Sequence, residues 1–230
     1  DMPVYVAYSS AHVLNTLRAK GLPAKNLPQV LADLSAEGFT HIAVQSMHVV
    51  PGLEFDIAKD IISRFQAMPK GDTAITLGVP LVASHEDAER VAGLLFASLP
   101  AERGAKDAVV FVGHGAVTQN GSLAYPALQC FLAGLDRRLF VGTIEGPFTL
   151  ENTLTKVDAA KVERMWLIPL LTVVGDHAQN DLFGDDDGSW KQAFIKAGIP
   201  VVMSKRGLTA VPGLAAVWAD HADAALKELE

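Results

Sequence analysis

Short runs of apolar, β-rich residues alternate along the chain with longer stretches in which apolar positions recur every three or four residues. The short runs are VYVAYS (4–9), HIAVQS (41–46), AITLGV (74–79), AVVFVG (108–113), LFVGTI (139–144), RMWLIPLL (164–171) and PVVMS (200–204). Their length and their Val, Ile and Phe content predict buried strands. The stretches between them predict helices. NLPQVLADLSAEG ends on Gly38 after a 3.6-residue apolar period, and SHEDAERVAGLLFASLP opens on Ser84 with Glu86 and Asp87 in its first turn. LAYPALQCFLAGL, LENTLTKVDAA, SWKQAFIKAG and the terminal GLAAVWADHADAALKELE complete the set. Strand, helix, strand at this spacing predicts parallel sheets with right-handed crossovers. The polar PAERGAKDA (100–108) reads as a linker. The expected architecture is therefore α/β, with two similar doubly wound parallel-sheet lobes, 1–103 and 104–230, and an active-site cleft between them. The last helix is free to pack back on the first lobe.

Composition narrows the function. Half of the 230 residues are hydrophobic and 20% are charged, a balance that argues against disorder. No apolar run reaches the ~18 residues that span a bilayer, so no membrane partner is expected. A net charge of −7 argues against nucleic acid, whose phosphates need a basic surface. The single Cys130 excludes an internal disulfide framework and a Cys-rich zinc site, and its apolar helical surroundings predict that it packs. The opening DMPVYVAYSS has neither a basic n-region nor a small-residue cleavage site, which points to the cytoplasm. A start at Asp1 rather than Met leaves the periplasm open.

Candidate chemistry sits at strand ends. VVFVGHG (109–115) places His114 between two glycines directly after a predicted strand; Glu145 follows the next strand in GTIEG, and His177 follows a third in TVVGDHAQND. The three are spaced by 31 and 32 residues (114 to 145, 145 to 177), about one βα unit each. Side chains at the carboxyl ends of parallel strands converge on one crevice. Two imidazoles and a carboxylate suit Co²⁺, Ni²⁺, Fe²⁺ or Zn²⁺ and leave coordination positions open. The alternative is three separate, hydrogen-bonded loop residues.

The remaining histidines carry less. His12 and His221 fall in helical stretches and are expected to be solvated, His41 to pack or cap a strand, and His85 is ambiguous near a helix start. GDDDG (184–188) fails as a calcium loop, because Phe183 and Phe194 stand where acids are needed, and reads instead as a cap for a helix near Ser189. GHGAVTQNG breaks the dinucleotide-binding spacing, and no nucleophile elbow or phosphate loop occurs.

On these residues the chain resembles the anaerobic CbiK-type sirohydrochlorin cobaltochelatases of cobalamin synthesis. The segments that carry the resemblance are QSMHVVPGLEF (45–55), LGVPLVASHEDAERV (77–91), VVFVGHGA (109–116), VGTIEG (141–146) and LIPLLTVVGDHAQNDLFGDDDGSWKQAFIKAGIPV (167–201), in family order over nearly the whole chain. The resemblance implies a pair of α/β lobes related to the class II chelatases, which include ferrochelatase. It implies His114, Glu145 and His177 as metal ligands, with Glu54 in PGLEF as the acid facing them from the other lobe. His114, His177 and Glu54 would then be the catalytic groups, Co²⁺ the substrate metal, and no organic cofactor is expected. Family members begin with a further strand and helix, so an N-terminal segment is expected to precede this sequence in the full protein. Sirohydrochlorin is a polycarboxylate, which calls for local donors in an acidic protein, such as helix N-termini or Arg18, Lys20, Lys205 and Arg206. Competing readings are an iron or nickel chelatase on a related tetrapyrrole, a non-catalytic metal or haem carrier, and a bilobed solute receptor. AAVWADHADAAL could supply a contact between copies in a homo-oligomer.

Overall fold

Side-chain alternation along the strands explains the larger of two sheets in the computed structural model, which describes residues 2–69, 73–159 and 162–230, with the side chains of 158, 159 and 176–178 outside the description. Strands β3 (Ala108–Gly113), β4 (Leu139–Thr143), β5 (Met165–Pro169) and β6 (Val201–Met203) are all parallel, in the order β4-β3-β5-β6. Successive strand residues point to opposite faces. Val109, Phe111, Leu139, Val141 and Trp166 enter one core, with Val91 and Leu95 of α4 (His85–Ala97), Leu128 and Leu132 of α5 (Gln119–Leu135), and Val217 and Trp218 of α9 (Leu214–Lys227). Ala108, Val110, Val112, Phe140, Met165 and Leu167 enter the other core. There they meet Val157 of α6 (Leu150–Ala159), Leu182 of α7 (Asp176–Phe183), and Trp190 and Phe194 of α8 (Trp190–Lys196). A sheet covered on both faces needs no polar alternation, which is why β3 reads as an unbroken apolar run. Gly142 is required within β4, because a Cβ there would lie 2.2 Å from the Trp190 ring.

The winding reverses within this sheet. The chain leaves β3 through α5 to β4, then crosses back over β3 through α6, on the opposite face, to reach β5. In such sheets ligands usually bind at the carboxyl ends of the strands where the winding reverses, here β3 and β5.

The chain divides into two compact units. The unit just described comprises Met47–Leu53 and Val79–His221; the other comprises Asp1–Ser46, Glu54–Gly78 and Ala222–Glu230. In the latter, β1 (His41–Gln45) pairs in parallel with β2 (Ala74–Gly78), flanked by α2 (Leu27–Ala36) and α3 (Leu53–Gln66). Its core is Val30, Leu31, Leu34, Ile42, Ile62 and Ile75. Asn26 and Gln29 form a reciprocal capping box that starts α2, and Thr76 Oγ1 donates to the Ala225 carbonyl of the terminal segment at 2.7 Å.

Several expectations need correction. The strand expected over 4–9 does not form: Val4 and Val6 are 89% and 65% exposed, and Tyr8 N donates to Lys25 O at 3.0 Å outside any ladder. β-propensity without a neighbouring strand gives no strand. Helix α7 was not expected; the stretch around His12, read as helical, forms α1 (Ala11–Ala19), which buries only Leu14. The 100–108 stretch, expected as a linker, lies within the 79–221 unit and is held by Asp107. That carboxylate is 2% exposed and accepts from Arg164 Nη2 at 2.7 Å, Gly104 N at 2.8 Å and Trp166 Nε1 at 3.0 Å. Cys130, expected to pack, is exposed on α5. No helix among the described residues is long and apolar enough to cross a membrane.

Candidate metal centre

The loops after β3 and β4 are joined through their backbones. His114 stands directly past β3 and Glu145 two residues past β4, both exposed. Ile144 N donates to Gly113 O at 3.0 Å, and Glu145 N donates to His114 O at 2.9 Å, so the strand pairing runs on into the loops. Gly115 adopts φ +99°, and a Cβ there would lie 1.9 Å from the Glu145 carbonyl oxygen. Only glycine combines that dihedral with that approach. The sequence places an imidazole and a carboxylate on adjacent loops, and the glycines let those loops touch.

Beneath the pair lies Tyr125 of α5, 3% exposed. Its hydroxyl accepts from Gly115 N at 3.1 Å, and its ring occupies the space beside Gly113, where a Cβ would come within 2.8 Å. Burial pushes the phenol up to about 12, against the opposing pull of the Gly115 N–H, so the hydroxyl stays neutral at physiological pH.

The loop after β5 approaches the same edge of the sheet, with Leu170 N donating to Val112 O at 2.8 Å. His177, expected on that loop, is instead the second residue of α7, which opens after Gly175 without a side-chain cap. Its side chain lies outside the described residues. The 47–53 segment runs between the loops that follow β3 and β5. Thr118 Oγ1 donates to Pro51 O at 3.3 Å and Thr172 Oγ1 to Met47 O at 2.8 Å, while Leu81 N donates to His48 O at 3.0 Å. Glu54 is exposed in the first turn of α3. Among the described residues no three His, Cys, Asp or Glu side chains cluster, and His114 and Glu145 are neighbours through their backbones.

The other candidates have local partners. His221, expected to be solvated, is largely buried, with Nε2 3.0 Å from Asp87 Oδ1. His41 Nδ1 meets Thr40 Oγ1 at 2.9 Å, and His85 packs edge-on against Phe131. His12 is exposed. Ser189 caps α8, whereas Asp185 and Asp187 pair with Lys191 and Lys196. Arg18 donates to Gln29 and the Ala24 carbonyl, and Arg206 to the Ala210 carbonyl; Lys20 and Lys205 are exposed. Tyr125, Thr118 and Thr172 escaped the sequence reading. Tyr125 had a signal, since it shares an i, i+3, i+7 apolar face with Leu128 and Leu132.

The chain is a doubly wound parallel α/β protein whose loops past β3 and β4 carry an imidazole and a carboxylate side by side, residue types that suit borderline divalent ions. The chain belongs to the cobalt chelatase (CbiK) family, whose model matches residues 1–227. It is 36% identical over 231 residues to the sirohydrochlorin cobaltochelatase CbiKC of Nitratidesulfovibrio vulgaris (strain Hildenborough), covering 100% of this chain and 80% of that one. It is 32% identical over 227 residues to the sirohydrochlorin cobaltochelatase of Salmonella typhimurium, covering 98% and 84%. Its fold is similar to that of SirB from Bacillus subtilis with Fe3+ (TM-score 0.57, 14% identity, 94% of this chain and 88% of that one). The sirohydrochlorin chelatase SirB of Bacillus subtilis subspecies spizizenii in complex with cobalt matches similarly (TM-score 0.57, 13% identity, 96% and 88%). At these identities the likeness to SirB is one of fold.

Proposed function

We propose that this chain inserts Co²⁺ into sirohydrochlorin in cobalamin biosynthesis, with His114, Glu145 and His177 as ligands of the entering ion. The geometric observation that carries the reading is the bond from Glu145 N to His114 O at 2.9 Å, which holds two metal-binding residue types side by side past adjacent strands. The naming of two relatives at 36% and 32% identity supports the substrate.

The chemistry makes three demands: the ion sheds water, the macrocycle presents its nitrogens, and two pyrrole N–H protons leave. Two nitrogens and a carboxylate oxygen replace part of the hydration shell and keep the opposite side of the ion free for the ring nitrogens. As the cobalt–nitrogen bonds form, each departing proton needs a base. Glu54 is suited to accept one, since it need not release the metal to act, and His114 or His177 can take the other once its ion is handed over.

Purified protein mixed with excess sirohydrochlorin and Co²⁺ should form many equivalents of cobalt product per chain, followed by visible absorbance. Binding that stops at one equivalent would make it a carrier. Fe²⁺ and Ni²⁺ run in parallel separate the neighbouring chelatase activities, which ligand type alone does not distinguish.

A further inference from the structure

We propose that Tyr125 is a positioning residue for the metal centre, holding the His114–Gly115 peptide so that the His114 imidazole and the Glu145 carboxylate meet one ion. The proposal rests on the reading of His114 and Glu145 as ligands. It comes from a single peptide plane. The carbonyl of that peptide, on His114, accepts from Glu145 N at 2.9 Å, while its N–H, on Gly115, donates to Tyr125 Oη at 3.1 Å. Both polar ends are therefore fixed, one by the neighbouring loop and one by a buried side chain. Turning this plane would break both bonds and free the two loops to part, changing the separation of His114 and Glu145.

The support beneath the plane is rigid. Tyr125 is 3% exposed, and it lies in the core that contains Phe111, Leu128 and Leu132. Its ring fills the space that the absent Cβ of Gly113 leaves, so ring and backbone fit against each other. On the other side Gly115 admits the Glu145 carbonyl to a distance that any side chain would forbid. Groups that orient a ligand without touching the metal commonly change metal affinity or activity by about ten- to a hundredfold when removed.

Tyr125→Phe removes only the hydroxyl. Co²⁺ titrated into the apoprotein, without tetrapyrrole, reads affinity and the visible ligand-field spectrum together. The variant should bind Co²⁺ about tenfold or more weakly, with band positions and intensities shifted from the parent, at a temperature where both proteins are fully folded by near-ultraviolet circular dichroism. A merely structural hydroxyl would lower Tm and leave spectrum and affinity at parental values, and that result overturns the proposal. His114→Ala is run beside it. If it keeps parental affinity and spectrum, His114 is not a ligand, and the proposal falls with the metal-site reading. If His114→Ala loses the spectrum while Tyr125→Phe matches the parent, the proposal falls alone. Should Tyr125→Phe fail to fold, wild-type protein labelled at tyrosine Cζ replaces it, with diamagnetic Zn²⁺ as the probe. The buried one of the three tyrosines should shift on metal loading, and an unmoved Tyr125 resonance at metal saturation overturns the proposal.

Discussion

Replacing Gly115 with alanine tests how strictly the spacing of two loops governs the chemistry. The added Cβ would stand 1.9 Å from the Glu145 carbonyl oxygen, whereas real Cβ atoms essentially never come within 3.0 Å of such a neighbour. The loops must therefore part by about 1.1 Å at the least. Holding φ near +99° with a side chain present adds roughly 1–2 kcal/mol of backbone strain, which the loop can relieve only by moving further. A misplacement of about 1 Å in a reacting constellation can cost roughly a hundredfold in rate, or about 2.7 kcal/mol in the barrier. Gly115→Ala should thus retain its fold yet insert Co²⁺ about a hundredfold more slowly, with weaker Co²⁺ binding. Initial rates by absorbance, with Tm and circular dichroism on the same samples, separate chemistry from unfolding. Gly134→Ala is the control: it lies exposed on α5 with nothing within 4 Å of the new methyl group, and its rate should be parental. A parental rate and Co²⁺ affinity in Gly115→Ala would refute the idea that this backbone contact sets the metal geometry.

Two further predictions concern carboxylates. Glu54→Gln should slow insertion markedly at saturating Co²⁺ while binding Co²⁺ nearly as well as the parent, whereas Glu145→Gln should weaken Co²⁺ binding itself, since an amide keeps the shape but loses charge and basicity. Equal loss of Co²⁺ affinity in both variants, measured by titration, would move Glu54 into the metal site. Burial alone would raise the Asp107 carboxyl, but hydrogen bonds from Arg164, Trp166 and the Gly104 backbone override it and hold the group down at about 2, from an ordinary 3.8. Because the folded value is depressed, its stabilisation is present above pH 3.8 and is lost as pH falls through 2. With Arg164 43% exposed, solvent screens the pair, and that contribution is roughly 1–2 kcal/mol. Asp107→Asn should lower Tm at pH 7 and flatten its decline between pH 4 and 2; an unchanged acid profile would contradict this.

Where the sequence reading succeeded, one physical signal dominated. β3 runs over 108–113 as expected, because burial on both faces removes every polar residue from the run. The loops that carry His114 and Glu145 lie side by side as their spacing predicts, since parallel strands bring their carboxyl ends to one edge. The reading failed where a partner, rather than a propensity, decides structure. Residues 4–9 have strand composition but no ladder, and His221 looks like a surface residue until α9 lies against Asp87 at the N-terminus of α4. Rotation of α5 was only partly legible. Tyr125, Leu128 and Leu132 share one apolar face, but the apolar pattern continues nearly all the way round and gave no sign that Cys130 faces outward. The clamp on Gly115 depends on that rotation, and became visible only with the atoms in place.

On this reading one entering ion meets His114, Glu145 and His177. A crystal of the protein grown with Co²⁺, with diffraction recorded on both sides of the cobalt absorption edge, tests it most directly. One strong anomalous peak should appear near the carboxyl ends of β3 and β4, within about 2.0–2.2 Å of a nitrogen of His114, an oxygen of Glu145 and a nitrogen of His177, distances typical of such donors on first-row ions. A cobalt peak bonded elsewhere, or one that leaves any of the three unbound, would contradict it.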